Sequence, residues 1–177
     1  MMDSEYLGQN IDVTLGQDFL TWLWYKSEVQ QGSFTSRQGQ RFEAHMEQRI
    51  SVQGGEGDSL ETATVSGAMS EFKEARLGLS TGKKVTRALL CLEKDSIAWQ
   101  VSLRAEDFSL NSMKLPKLEK PEDDEDPDAL LLERLYLIEG CLELLDELYA
   151  TFLELRLSSA WEEETRKVRS WLLSSAE

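Results

Sequence analysis

The chain predicts an α+β fold: a mostly antiparallel sheet of about five strands, flanking helices and a long C-terminal helical segment. Three observations carry this expectation. Apolar residues recur at helical spacing near the start and again from Asp128 onward. Between Arg41 and Leu115 the apolar period falls largely to two. Connections as short as Lys94-Asp95-Ser96 then suit strands joined as an antiparallel meander.

The bulk numbers agree with a globular protein. Of 177 residues, 41% are apolar and 29% charged, enough for one core plus a helical appendage. The organisation expected is a flexible N-terminus at 1–11, an α+β domain at 12–116, an acidic linker at 117–128 and C-terminal helices at 129–177. Those helices either pack on the sheet or dimerise. No run of 18 apolar residues suggests a membrane span, and the acidic start Met1-Met2-Asp3-Ser4-Glu5 argues against a signal peptide. Cys91 and Cys141 lie far apart in apolar stretches and read as free buried thiols, so a reducing cytoplasm is expected. The formal net charge is −14, but it is unevenly spread. Residues 121–177 carry −11 and residues 1–120 carry −3, whereas Ser66 to Lys94 carries +3.

The first helix opens at Thr14-x-x-Gln17, which has capping-box spacing. Leu15, Phe19, Trp22 and Leu23 form its apolar face, Trp24 and Tyr25 widen it, and Gly32 stops it. A core face is the ordinary reading of these aromatics, and a base-stacking platform is the alternative. From Arg41, Phe42, Ala44 and Met46 alternate with Glu43, His45 and Glu47. Ile50 and Val52 continue the pattern after a bulge, so His45 falls on the polar side. Gln53 to Asp58 is a turn without the glycine spacing of a dinucleotide site, and Thr62 to Val65 returns as the second strand of a hairpin.

Ser66 to Thr81 reads as a helix with Met69, Phe72, Leu77 and Leu79 inward, Lys73 and Arg76 outward, and Gly82 as its stop. The string Gly78 to Lys84 is not a phosphate loop. Three residues separate its glycines instead of four, and a helix precedes it where a strand is required. Val85 to Leu92 reads as a central strand buried on both faces. Ile97 to Leu103 and Phe108 to Leu115 are the next two. Pro121, Pro127 and Glu122 to Asp126 make the solvated linker, and Pro127 opens the next helix.

In that helix Leu131, Leu135, Ile138, Leu142, Leu145, Tyr149 and Phe152 step 4-3-4-3-4-3, a heptad seam that reads as an oligomer interface. A second stripe (Leu130, Leu137, Cys141, Leu144, Leu148 and Leu155) runs beside it, so packing on the sheet and dimerisation both remain open. Gly140 in the middle suits the close approach of a neighbouring backbone. A last helix, Ser159 to Leu173, places Trp161, Val168, Trp171 and Leu172 on one side. Glu162 to Glu164 near its start and Arg166, Lys167 and Arg169 near its end complement the helix dipole.

No nucleophile stands beside a base, and one histidine with two cysteines gives no zinc set. No enzyme, catalytic residue, metal or cofactor is therefore expected. The basic cluster Lys73, Arg76, Lys83, Lys84 and Arg87 remains. It is either a patch that pairs with DNA phosphates without reading bases, or an ordinary solvated helix end.

From about Asn10 to Phe152 the order of elements resembles the C-terminal half of the recombination-associated protein RdgC family. The matching parts are the Thr14 to Trp24 helix, the strand into Ala63-Thr64-Val65, and the helix ending in Gly82-Lys83. The strand Val85-Thr86-Arg87-Ala88-Leu89 and two further strands come next. An acidic break then leads to the Asp128 to Leu155 helix. The best local match is Gly-Lys-x-Val-Thr-x-x-Leu, on which Lys83 and Arg87 fall. The resemblance implies a non-enzymatic, nucleoid-associated accessory protein of DNA recombination that binds duplex DNA without sequence preference and modulates the recombinase. It also implies a homodimer, or pairing with a separate chain that carries the family's N-terminal half. A rival from another class is an acidic interaction module that acts through its leucine-rich C-terminal helix, by binding a protein or by mimicking DNA.

Overall fold

The computed structural model describes residues 13–55, 61–66, 69–117 and 127–174. The expectations for the N-terminal tail, for Glu56 to Asp58 and for most of the acidic linker lie outside them. So do those for the side chains of Met69 and Phe72.

The fold is α+β, with a six-stranded antiparallel sheet and four helices among the described residues. Helix α1 (Val13–Val29) leads into β1 (Ser33–Thr35), β2 (Arg41–Gly54) and β3 (Glu61–Ser66). Helix α2 (Met69–Ser80) precedes β4 (Lys84–Lys94), β5 (Ile97–Arg104) and β6 (Leu110–Lys114). Helices α3 (Pro127–Arg156) and α4 (Trp161–Leu173) close the chain. The main path of the sheet is β1-β2-β4-β5-β6, and β3 pairs with β2. Strand β2 is the spine. Its Arg41–Glu43 pairs with β1 and its Arg49–Gly54 with β3, while β4 runs along its other side. The expected bulge is present, as a register shift between Met46 and Ile50.

The expected returning strand and the meander are present, and β1 is an addition: three residues are too short to show a period. Thr14 lies inside the first turn of α1, not in front of it as the capping box requires. Phe108 precedes β6 with φ of 55°, a turn conformation, so that strand is shorter than its apolar pattern. Gly82, at φ 101°, ends the turn after α2 in a conformation that suits glycine.

Strand β4 was expected to be buried on both faces and is buried on one. Val85, Ala88, Leu90 and Leu92 point into the core, Leu89 and Cys91 are half-buried, and Arg87 and Glu93 are exposed. This is the alternation of an antiparallel sheet covered on a single side. His45 lies on the polar side of its strand as expected, half-exposed, with Nε2 3.2 Å from Glu43. Cys141 is buried and Cys91 half-buried, both as free thiols.

The core is aromatic. Phe19 and Trp22 of α1 stack at 6.3 Å, and Phe152 of α3 meets them at 5.3 and 5.6 Å. A core face is thus what the α1 aromatics form. At Gly16 a Cβ would stand 1.9 Å from the Ala105 carbonyl oxygen, so only glycine lets α1 approach the β5–β6 turn this closely. On α3 the buried residues are Leu137, Cys141, Leu144, Leu148 and Phe152. Most of them belong to the second stripe, so α3 packs on its own sheet. Trp99 of β5 sets that rotation. Its indole N–H donates to the Leu137 carbonyl at 2.9 Å, and its ring would sit 3.3 Å from a Cβ at Gly140. The close neighbour of Gly140 is therefore an indole edge and not a backbone.

The interface seam divides along its length. Phe152, Tyr149 and Leu145 pack into the core, which corrects their reading as oligomer contacts. Leu131, Leu135 and Leu142 are exposed and Ile138 is half-buried. Leu132 at 66% and Tyr136 at 69% exposure extend this apolar ridge along the first half of α3. Among the described residues no helix is long and apolar enough to cross a membrane.

Candidate nucleic-acid interface

The five basic residues picked from the sequence do not form one patch. Lys73 is exposed on α2, Lys84 is exposed at the start of β4, and Lys83 just before it is half-buried. Arg87 is exposed on the uncovered face of the sheet, opposite Ser51 and Arg104 in register.

Arg76 is the correction. Expected outward, it turns into a junction of three helices, with its side chain 14% exposed. Its guanidinium stacks 4.2 Å from the Trp171 ring centroid and lies 3.2 Å from the Glu28 carboxylate. It also donates to the Trp171 carbonyl. Glu28 accepts in addition from the indole N–H groups of Trp24 at 2.8 Å and Trp171 at 2.9 Å. Burial draws Arg76 below the usual guanidinium value and Glu28 opposes the shift. A cation engaged on this many sides is a clasp between α1, α2 and α4, so it drops out of the candidate surface. Leu77, one residue on, is 52% exposed instead of inward; Ala75 and Leu79 hold the buried side of α2.

A second clasp joins α4 to α1. Glu164 is buried, 2.6 Å from the Lys26 ammonium, and accepts from the Trp22 indole at 3.3 Å. In the sequence Glu164 stands only as one of three acids near the start of α4 that complement the helix dipole. Likewise Arg166, Lys167 and Arg169 do not occupy the last turn of α4, which holds no basic residue.

What the fold does bring together is Lys83, Lys84 and Arg169. All three line a cleft of about 520 Å³ between α1, the end of α2, the start of β4 and α4. Two glycines make room for the Lys83 stem: a Cβ at Gly54 would meet its Cγ at 2.7 Å, and one at Gly78 its Cδ at 3.2 Å. The Lys83 amide also donates to the Gly78 carbonyl at 3.0 Å, which fixes the chain as it leaves α2. Trp22, Leu79, Trp161 and Leu172 supply apolar walls. Among the described residues Asp18 is the one carboxylate on the lining, and it pairs with Arg156 at 3.4 Å. The Arg156 guanidinium in turn lies 5.1 Å from the Trp161 ring centroid. Three cations thus converge on an aromatic-walled cleft in a chain of net charge −14.

Arg169 was missed, although a signal for it exists. It follows Thr165 by four residues and precedes Leu172 by three, on the stripe that begins at Trp161. Among the described residues no group of three or more His, Cys, Asp or Glu side chains is placed to hold a metal ion. Comparisons of this chain with protein-family models, curated proteins and solved structures find no match.

Proposed function

We propose that this chain is an RdgC-like, non-enzymatic accessory protein of DNA recombination that contacts duplex phosphates without reading bases. One observation carries the reading: Lys83, Lys84 and Arg169 gather on one cleft whose described lining holds a single carboxylate, Asp18. Phosphate contact needs a local concentration of donors and tolerates a negative total charge if the acids stand clear of the duplex. Lys73, exposed on α2, extends the contact beyond the cleft, and Arg87, on the uncovered face of the sheet, stands apart from it. The resemblance in element order supplies the recombination context, with a nucleoid location and a recombinase as partner. A separate chain resembling the family's N-terminal half fits the same context.

Fluorescence anisotropy of a labelled duplex tests the contact. Binding should fall steeply with salt, and a Lys83→Glu, Lys84→Glu, Arg169→Glu triple variant should lose it. No binding at low salt sinks direct DNA contact by this chain.

The exposed ridge Leu131, Leu132, Leu135, Tyr136 and Leu142 favours a second reading, in which α3 docks a protein. A second copy of the chain is the partner we propose there, giving a homodimer. Such an interface is driven by apolar burial and should be nearly indifferent to salt.

A further inference from the structure

We infer that the cleft between α1, β4 and α4 receives a single unpaired nucleotide, its base against the Trp161 wall and its phosphate among Lys83, Lys84 and Arg169. The inference rests on the phosphate-contact reading for its cations and adds a base to it.

The shape selects the ligand. A cavity of about 520 Å³ falls within the roughly 300–1,000 Å³ typical of small-molecule sites. A duplex is too wide to enter it, whereas one extruded nucleotide is not. The chemistry selects further. The apolar walls (Trp22, Leu79, Trp161 and Leu172) suit a flat or apolar body, and the positive charge on the same lining suits an anion on the same molecule. Thr21 and Thr165 on the lining offer hydroxyls for polar groups of a sugar or base. Their own hydrogen bonds run to carbonyls one turn back in their helices, at 2.8 Å each, which leaves the oxygen lone pairs as acceptors. Aromatic body plus phosphate is the composition of a nucleotide, and indole stacking is tolerant of base identity. The source is either a free nucleotide or the unpaired end of a DNA strand.

Three probes separate the sources: 2-aminopurine deoxynucleoside monophosphate, a blunt duplex, and the same duplex ending in an unpaired 2-aminopurine. The expected result is quenching of the unpaired base, with that duplex bound about five- to a hundredfold tighter than the blunt one. The Arg169→Glu variant should erase the preference. Trp161→Leu should do the same, and because Trp161 also packs on Phe152 at 5.7 Å, thermal melting accompanies it. The exposed Arg169 keeps the test decisive if that variant fails to fold. Binding and quenching of the free monophosphate alone would uphold the nucleotide cleft and overturn duplex contact. Equal binding of both duplexes without quenching would overturn the cleft and leave duplex contact standing. Binding of no probe would overturn both.

Discussion

Glu28 shows how much a single exposed-looking carboxylate can hold. It accepts from two indoles on different helices and pairs with Arg76, so its charge is fixed by donors from three elements. Removing it strands those donors. A hydrogen bond to a charged group contributes about 1.5–3 kcal/mol, so Glu28→Ala should lower stability by about 2–3 kcal/mol in chemical denaturation. Arg76→Lys, which keeps the charge but loses the planar stack on Trp171, should also destabilise and leave the salt dependence of duplex binding unchanged. A changed salt slope would return Arg76 to the binding surface. Glu147 makes a pH prediction. The Arg37 backbone N–H and guanidinium hold its carboxyl below the ordinary 4.5. Its folded value is depressed, so the stability it contributes is complete above about 4.5 and disappears as pH falls through the lowered value. Glu147→Gln should therefore flatten the acid side of a melting-temperature profile. None of these roles was legible in sequence. Helical spacing marks Glu28, Arg76 and Glu164 as polar positions, and only the meeting of α1, α2 and α4 gives them their partners.

Within α3 two apolar stripes were legible, but not which of them faces the sheet. The choice depends on a contact remote in sequence, Trp99 against the Leu137 carbonyl and Gly140. The seam read as one interface is consequently two surfaces. Phe152, fully buried against Phe19, Trp22 and Trp161, should cost about 3–5 kcal/mol on change to Ala. Leu135, 47% exposed, should change monomer stability by less than about 0.5 kcal/mol, yet Leu135→Glu should abolish dimers in sedimentation equilibrium. Wild type that sediments as a monomer at high concentration would remove the homodimer. In the sheet, β2 was legible down to its bulge because its period of two restarts at Ile50. Strand β1 was not, since Ser-Phe-Thr carries a single inward residue. The candidate site was half legible. Lys83 and Lys84 follow a visible helix stop, whereas Arg169 joins them only through the packing of α4 across α1.

At the scale of the molecule, the cleft and both clasps depend on α4 packing against α1, with α2 and the start of β4 beside them. The order of residues shows which segments are helices and which are strands. It does not show that α4 returns to α1, because two aromatic helices with a sheet between them could pack in more than one place. The clasp contacts Trp22–Glu164 and Trp171–Glu28 span 142 and 143 residues. That separation has a consequence for how the protein is made. At a synthesis rate of about 5–20 residues per second, α1 emerges from the ribosome roughly 7–28 s before its clasp partners on α4. Through that interval the Trp22 indole stands without the Glu164 carboxylate and the Glu28 carboxylate without the Trp171 indole, so both clasps close only after α4 is translated.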